Sequence, residues 1–338
     1  MLLSIIVISH NQREQLKRCL DSILAQKIPF EYEVLISDDA SSDGTFELAC
    51  QYQKEYLQIH AYQCNTDDFN PTTKSSRSGW NRCNALQYAQ GKYVAHIDGD
   101  DFLLTSSNIY QKQVELLENH PECSCCMAND YTLVNGEKLS TIRIRHPESF
   151  ETGRILKKED YIRGYFRESH CFVYRRNPHV NPIEVLGGYY VDNALTAFYV
   201  QFGDIVCLND SGYVYVQYKS SVWNDYMKTN DYIVMGCPAL FNPGLLPKWK
   251  PVYWQAVNGL KQIIRVVNAA REELPMTDVA IRWMDSFSYY IFHAFNRPLN
   301  TWDKLHLFTL WLLLKIMIRT KRRHPRLPLP WRILDKLL

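Results

Sequence analysis

Three carboxylates crowd into four residues at Asp98-Gly99-Asp100-Asp101, directly after the apolar run Tyr93-Val94-Ala95-His96-Ile97. Like charges this close raise one another's pKa, a free-energy cost that a cation removes. Hard divalent ions such as Mg²⁺ and Mn²⁺ take oxygen ligands, commonly one or two carboxylates together with phosphate oxygens. Gly99 lets the backbone come close to a ligand. The competing reading is a solvated acidic turn, where Asp and Gly are also at home. A second polar break, Asp38-Asp39-Ala40-Ser41-Ser42-Asp43-Gly44-Thr45, closes another apolar run, and Ser9-His10-Asn11 closes a third.

These breaks need elements to position them. Residues 2–8 are continuously apolar and β-branched, the pattern of a strand covered on both faces. Asn11 is a good N-cap, and Leu16, Cys19, Leu20, Ile23 and Leu24 then recur at helical spacing. Strands are predicted over 32–37, 57–63 and 92–97, with helices over 45–56 and 80–90. The polar stretch 65–79, with Pro71, Lys74 and Arg77, reads as a loop. Alternating strands and helices imply an α/β fold, a mostly parallel sheet with right-handed crossovers. In such sheets ligands bind beyond the carboxyl ends of the strands. All three polar breaks fall at such ends, a coincidence that a loop-only reading leaves unexplained.

Farther on, 107–118 predicts an amphipathic helix and Asn135-Gly136 a hairpin. Residues 157–165 read as a helix and 171–174 as a strand. A helix is predicted over 192–202, ended by Gly203, followed by strands over 205–208 and 212–217. Near Trp223 the pattern turns helical and aromatic. This sets a boundary between residues 1–223 and a helical C-terminal region, 224–338.

Composition removes several function classes. A net charge of +2 over 338 residues gives no basis for a nucleic-acid partner. A GxGxxG fingerprint after the first strand and a GxxxxGK[ST] loop are both missing, against a dehydrogenase or a P-loop kinase. Residues 1–9 lack a basic leader and a cleavage site, and the ten cysteines form no disulfide framework. A reducing cytosol is the expectation. Cys123-Ser124-Cys125-Cys126 lacks the second pair of a zinc site and reads as core residues on a strand. No apolar run reaches the roughly 20 residues needed to span a bilayer.

Residues 1 to about 223 resemble a family 2 glycosyltransferase with the GT-A fold, a Rossmann-like sheet. The motifs are Ser4-Ile5-Ile6-Val7-Ile8-Ser9-His10-Asn11, the Asp38–Thr45 stretch and Asp98-Gly99-Asp100-Asp101, the last matching a DxD motif. Arg82 ahead of Ala89-Gln90-Gly91-Lys92-Tyr93, and Asp192 opening a helix, are weaker matches. The resemblance implies a nucleotide-sugar donor, with UDP expected, bound by Ser9, Asn11, Asp39, Arg82, Asp98, Asp100 and Lys219. Asp39 matches the acid that accepts the uracil imide, as an acceptor-only carboxylate can. It also implies Mn²⁺ or Mg²⁺ at Asp100 and Asp101, with Asp98 holding the loop. Arg82 would pair with diphosphate oxygens, and Lys219 would approach them from the closing segment. Asp192 matches the general base of an inverting displacement, although Asp192-Asn193 stands where the family often has Glu-Asp. N-capping is its alternative role. His170 stands on the acceptor side. Ile8-Ser9-His10, Ala40 and Cys83 depart from the family pattern around the base pocket.

The tail adds a possible surface. Leu305, Phe308, Thr309, Leu312 and Ile316 follow helical spacing, and Lys315, Arg319, Lys321, Arg322, Arg323 and Arg326 form a basic cluster. Basic amphipathic helices with Trp lie in membrane interfaces; packing on the catalytic domain is the alternative. The expected protein is thus a metal-dependent glycosyltransferase acting on a glycan or lipid-linked acceptor. It would be cytoplasmic and peripheral on the inner face of the cell membrane. A polyprenyl-phosphate sugar synthase and an inactive nucleotide- or carbohydrate-binding module are the alternatives.

Overall fold

The computed structural model describes residues 1–69, 74–134, 138–141, 151–157, 171–186, 192–200 and 202–218, and helical positions 301, 302, 305, 308, 309, 312 and 316. The chain divides into two compact units, residues 1–161 with 165–221 and residues 162–164 with 222–338.

The frame of the first unit follows from its apolar runs. β1 (Leu3–Ser9) is buried along its whole length. It lies between β2 (Tyr32–Asp39) and β4 (Tyr93–Asp98), and β3 (Ile59–Cys64) flanks β2. All these pairings are parallel, and the register sets Ser9 opposite Asp38 and Ile8 opposite Asp98. Three polar breaks scattered over ninety residues of sequence therefore meet along one edge of the sheet, as expected.

Beyond β4 the sheet becomes mixed. β9 (Phe172–Arg175) runs antiparallel between β4 and β6 (Cys123–Val134). β6 is parallel to β10 (Asp204–Gln217), whose outer neighbour is the short antiparallel β5 (Phe102–Leu103). β7 (Lys138–Thr141) pairs antiparallel with β6, and β8 (Ile155–Leu156) pairs with β10; Asn135-Gly136, read as the hairpin turn, lies outside the described residues.

Helices α1 (Arg13–Leu24), α2 (Thr45–Glu55), α3 (Lys74–Leu86), α4 (Ile109–Asn119), α5 (Pro182–Leu186) and α6 (Asp192–Tyr199) complete the described part of this unit. Leu16, Leu20 and Ile23 of α1 join Leu3, Ile5, Val34 and Ile36 in the core. Entry to β4 needs a glycine at 91, because a Cβ there would lie 2.5 Å from the Ser4 backbone nitrogen. Burial of Glu33 beside it is matched by bonds from Ser4 Oγ at 2.6 Å and the Gln90 amide at 2.7 Å.

Three details differ from the sequence reading. First, α3 begins at Lys74 rather than Trp80, and a 3-10 turn at Thr66–Phe69 occupies the supposed loop. The first turns of α3, Lys74 to Gly79, are wholly polar or glycine and so show no apolar stripe. Second, Asn11 does not cap α1. It sits at φ 52° and accepts the Ser42 amide through Oδ1 at 2.9 Å. The first amide of α1, Arg13, donates instead to Asp43 Oδ2 at 3.2 Å, so the loop after β2 caps the helix after β1. Third, β10 is one strand, with register irregularities between Leu208 and Tyr213 where a gap was read. Cys123, Cys125 and Cys126 are buried free thiols on β6, as expected. The helix read over 157–165 lies outside the described residues after Lys157.

In the second unit Trp302, Leu305, Phe308, Leu312 and Ile316 are helical and exposed. Thr309 closes a turn of this helix by donating to the Leu305 carbonyl at 2.8 Å. Among the described residues no helix is long and apolar enough to cross a membrane.

Candidate active site at the strand ends

β4 delivers Asp98 at its last position, and a turn bonded from the Asp101 amide to the Asp98 carbonyl at 2.9 Å folds the next residues back. The tight approach of Gly99 to β1 sets this turn, since a Cβ there would lie 2.7 Å from the Ile8 carbonyl. One carboxylate oxygen from each of Asp98, Asp100 and Asp101 lies within 4.8 Å of the others. Burial, and then the Asp98 charge, push the Asp100 carboxyl up to about 7. Burial and the two neighbouring acids push Asp101 up as well. An oxygen-rich cluster that resists ionisation without a counter-charge fits a hard divalent cation.

The three acids are held differently. Asp101 is fully buried and bound by β10, accepting from Tyr213 Oη at 2.6 Å and the Val216 amide at 2.8 Å. Two donors leave about two of its four acceptor positions open. Asp98, more than a third exposed at 37%, accepts from Arg82 Nη2 at 2.6 Å. Among the described residues, no side chain donates a hydrogen bond to the Asp100 carboxylate.

β2 ends in a second acidic pair. Asp38 accepts from Ser9 Oγ at 3.0 Å, from Ser41 Oγ at 2.6 Å and from the Ser41 amide at 2.9 Å. Asp39 is buried and accepts from the Thr66 amide at 2.9 Å, the Thr66 hydroxyl and Arg77 Nη2 at 2.9 Å. Arg77 also pairs with Asp67.

α3 spans these ends with a polar face. Arg77 meets Asp39, Asn81 Nδ2 donates to the Ser9 carbonyl at 3.2 Å, Arg82 meets Asp98, and Asn84 Nδ2 donates to Ser37 Oγ at 2.8 Å. The structure therefore brings Ser9, Asp39, Arg82, Asp98, Asp100 and Asp101 to neighbouring strand ends, with Asn11 exposed beside them. Asp192 opens α6, which packs on β9 through Thr196 Oγ1 and Tyr174 Oη at 2.9 Å and through stacked Tyr199 and Tyr174 rings. His170 and Lys219 lie outside the described residues. Thr66, Tyr213 and Arg18 went unread. The run of alternating residues before Gln217 hinted at a strand but not at which acid Tyr213 would meet.

A parallel α/β frame with an acidic cluster past β4 is the GT-A fold. Staphylococcus aureus TarS 1-349, solved in complex with UDP-GlcNAc, superposes with a TM-score of 0.61 at 17% identity, over 95% of this chain and 92% of that one. Residues 4–180, more than half the chain, match the family described as glycosyl transferase family 2, and the chain belongs to it. An uncharacterized protein of Mycobacterium tuberculosis is 30% identical over 227 residues, 66% of this chain and 60% of its own length. The poly(ribitol-phosphate) beta-glucosyltransferase of Bacillus spizizenii is 31% identical over 104 residues, 30% of this chain and 15% of that protein. The chain thus spans less than two thirds of these curated relatives.

Proposed function

We propose that this family member moves a sugar from a nucleotide-sugar, a UDP-sugar, to a hydroxyl of a glycan or lipid-linked glycan. The observation that carries this reading is the acidic cluster at the end of β4, beside the ends of β1 and β2. Asp98, Asp100 and Asp101 would hold Mn²⁺ or Mg²⁺, which supplies charge neutralisation to the leaving diphosphate. Three donors on Asp39 leave about one acceptor position of its carboxylate for the uracil imide N–H. Ser9 and Asn11 would line the nucleoside side. Arg82 would exchange part of its pairing with Asp98 for the diphosphate, where a planar guanidinium fits two oxygens. Lys219 would reach the same oxygens, and His170 would face the acceptor.

In the transfer, the acceptor oxygen bonds to the anomeric carbon as its bond to the diphosphate breaks. The acceptor proton passes to Asp192 and the nucleoside diphosphate leaves, inverting the anomeric centre. The curated relative named for poly(ribitol-phosphate) supports a hydroxyl-bearing polymer as acceptor. The exposed Trp302, Leu305, Phe308, Leu312 and Ile316, with the basic cluster of the tail sequence, support docking on the anionic inner face of the cell membrane.

The test is UDP release from a panel of nucleotide-sugars, with hydroxyl acceptors offered free and on anionic vesicles. Wild type should release UDP in an acceptor-dependent way, faster on vesicles. Asp192→Asn should lower turnover about 10²-fold or more with UDP affinity little changed. No release from any sugar would end the transferase reading, and near-normal turnover in Asp192→Asn would leave that residue only a capping role.

A further inference from the structure

Two arginines attend the acidic cluster, and they do so in opposite ways. Arg82 takes a carboxylate oxygen of Asp98 directly. Arg18, from α1, instead meets a carbonyl, a hydroxyl and a ring. Its Nη2 donates to the backbone carbonyl of Asp100 at 2.8 Å and to Tyr218 Oη at 3.3 Å. Its guanidinium carbon lies 4.6 Å from the centre of the Phe102 ring. Arg18 therefore sits where α1, the 98–103 segment and the exit of β10 meet. From there its charge faces the acids without using the oxygens that a cation needs. Tyr218 is also the residue before Lys219. Across this junction Asp101 is already tied to β10 through Tyr213 and Val216.

We propose that Arg18 is a positioning residue for donor binding: by bridging the Asp100 carbonyl and the Tyr218 hydroxyl, it makes the acidic loop and the end of β10 respond as one body when a nucleoside diphosphate and its cation bind. This rests on the donor site proposed above. The bridge uses the two N–H groups of one guanidinium nitrogen, held at a fixed angle, while the rest of the guanidinium lies over Phe102. A lysine ammonium keeps the charge but presents a single point. The buried Arg18 Nε finds no acceptor among the described residues, so the bridge and the ring, rather than a saturated hydrogen-bond set, fix the side chain.

The test uses the full chain, with UDP and Mn²⁺ as the probe. Calorimetry on wild type, Arg18→Lys and Arg18→Met is paired with amide hydrogen exchange over residues 98–103 and 212–218. Both variants should weaken UDP binding about tenfold, the scale of one lost charge-assisted hydrogen bond. Both should speed exchange in the two segments together. UDP with Mn²⁺ should protect both segments in wild type but only 98–103 in the variants. Wild-type UDP affinity in Arg18→Met, or faster exchange confined to α1, would overturn the proposal. So would an Arg18→Lys protein that matches wild type in both measurements, since charge alone would then suffice. That variant also carries the test if Arg18→Met fails to fold. Should wild type bind no UDP, the donor reading fails on its own, while the exchange measurement without ligand still decides whether Arg18 ties the two segments.

Discussion

The ends of β2 and β4 both carry acids, yet the protein surrounds them differently. At the end of β2 the protein supplies the donors. Asp38 receives three hydrogen bonds from Ser9 and Ser41, and Asp39 is held by Thr66 and Arg77. At the end of β4 three acids stand together, and burial with mutual repulsion pushes two of them up. A carboxylate supplied with donors is held in place with about one acceptor position left, as at Asp39, whereas the β4 acids are short of counter-charge and make a place for a cation. The motif letters are the same; the donors around them differ.

Substitutions that break this contrast should move stability in opposite directions. The larger effect belongs to β2. Asp38→Ala strands two hydroxyls and an amide that now bond to a buried carboxylate, and should lower unfolding free energy by about 3 kcal/mol. Denaturant titration would read it, and an unchanged midpoint would remove Asp38 from the framework. Asp100→Asn should do the reverse, raising the metal-free melting midpoint at pH 8 by roughly 2–4 °C, the shift that ~1 kcal/mol gives.

The sign of the pH dependence sharpens the second case. The Asp100 carboxyl titrates near 7 in the folded chain against an ordinary 3.8. Between those values the folded state holds a proton that the unfolded state has released, so stability falls as pH rises. Below the window both states are protonated, and above about 7 the full penalty is present. The gain from Asp100→Asn should therefore be complete at pH 8 and vanish near pH 4. A gain independent of pH would show that the cost of ionising this buried, repelled carboxyl is not its cause.

Much of this was legible from residue patterns because the parallel strands are buried on both faces. Leu3–Ser9 and Tyr93–Asp98 read directly as apolar runs. Parallel pairing then brings their ends together whatever the loops do. What stayed hidden was set by tertiary contacts with no local signal. α3 is legible only from Trp80, because its first turns, Lys74 to Gly79, are polar and carry no apolar period by which helices are recognised. Asn11 has the chemistry of a cap, but Asp43 reaches the helix first from across the site. The partners of Asp101 lie more than a hundred residues away on β10, and nothing near Asp101 foretells Tyr213.

The central claim is that the β4 acids bind the donor through a divalent cation. Calorimetry of UDP binding, with and without Mn²⁺, in wild type and Asp100→Asn, tests it most directly. The account predicts UDP binding that depends on Mn²⁺ in wild type and loses that dependence in the variant. Equal affinity in both proteins, unaffected by the metal, would contradict it.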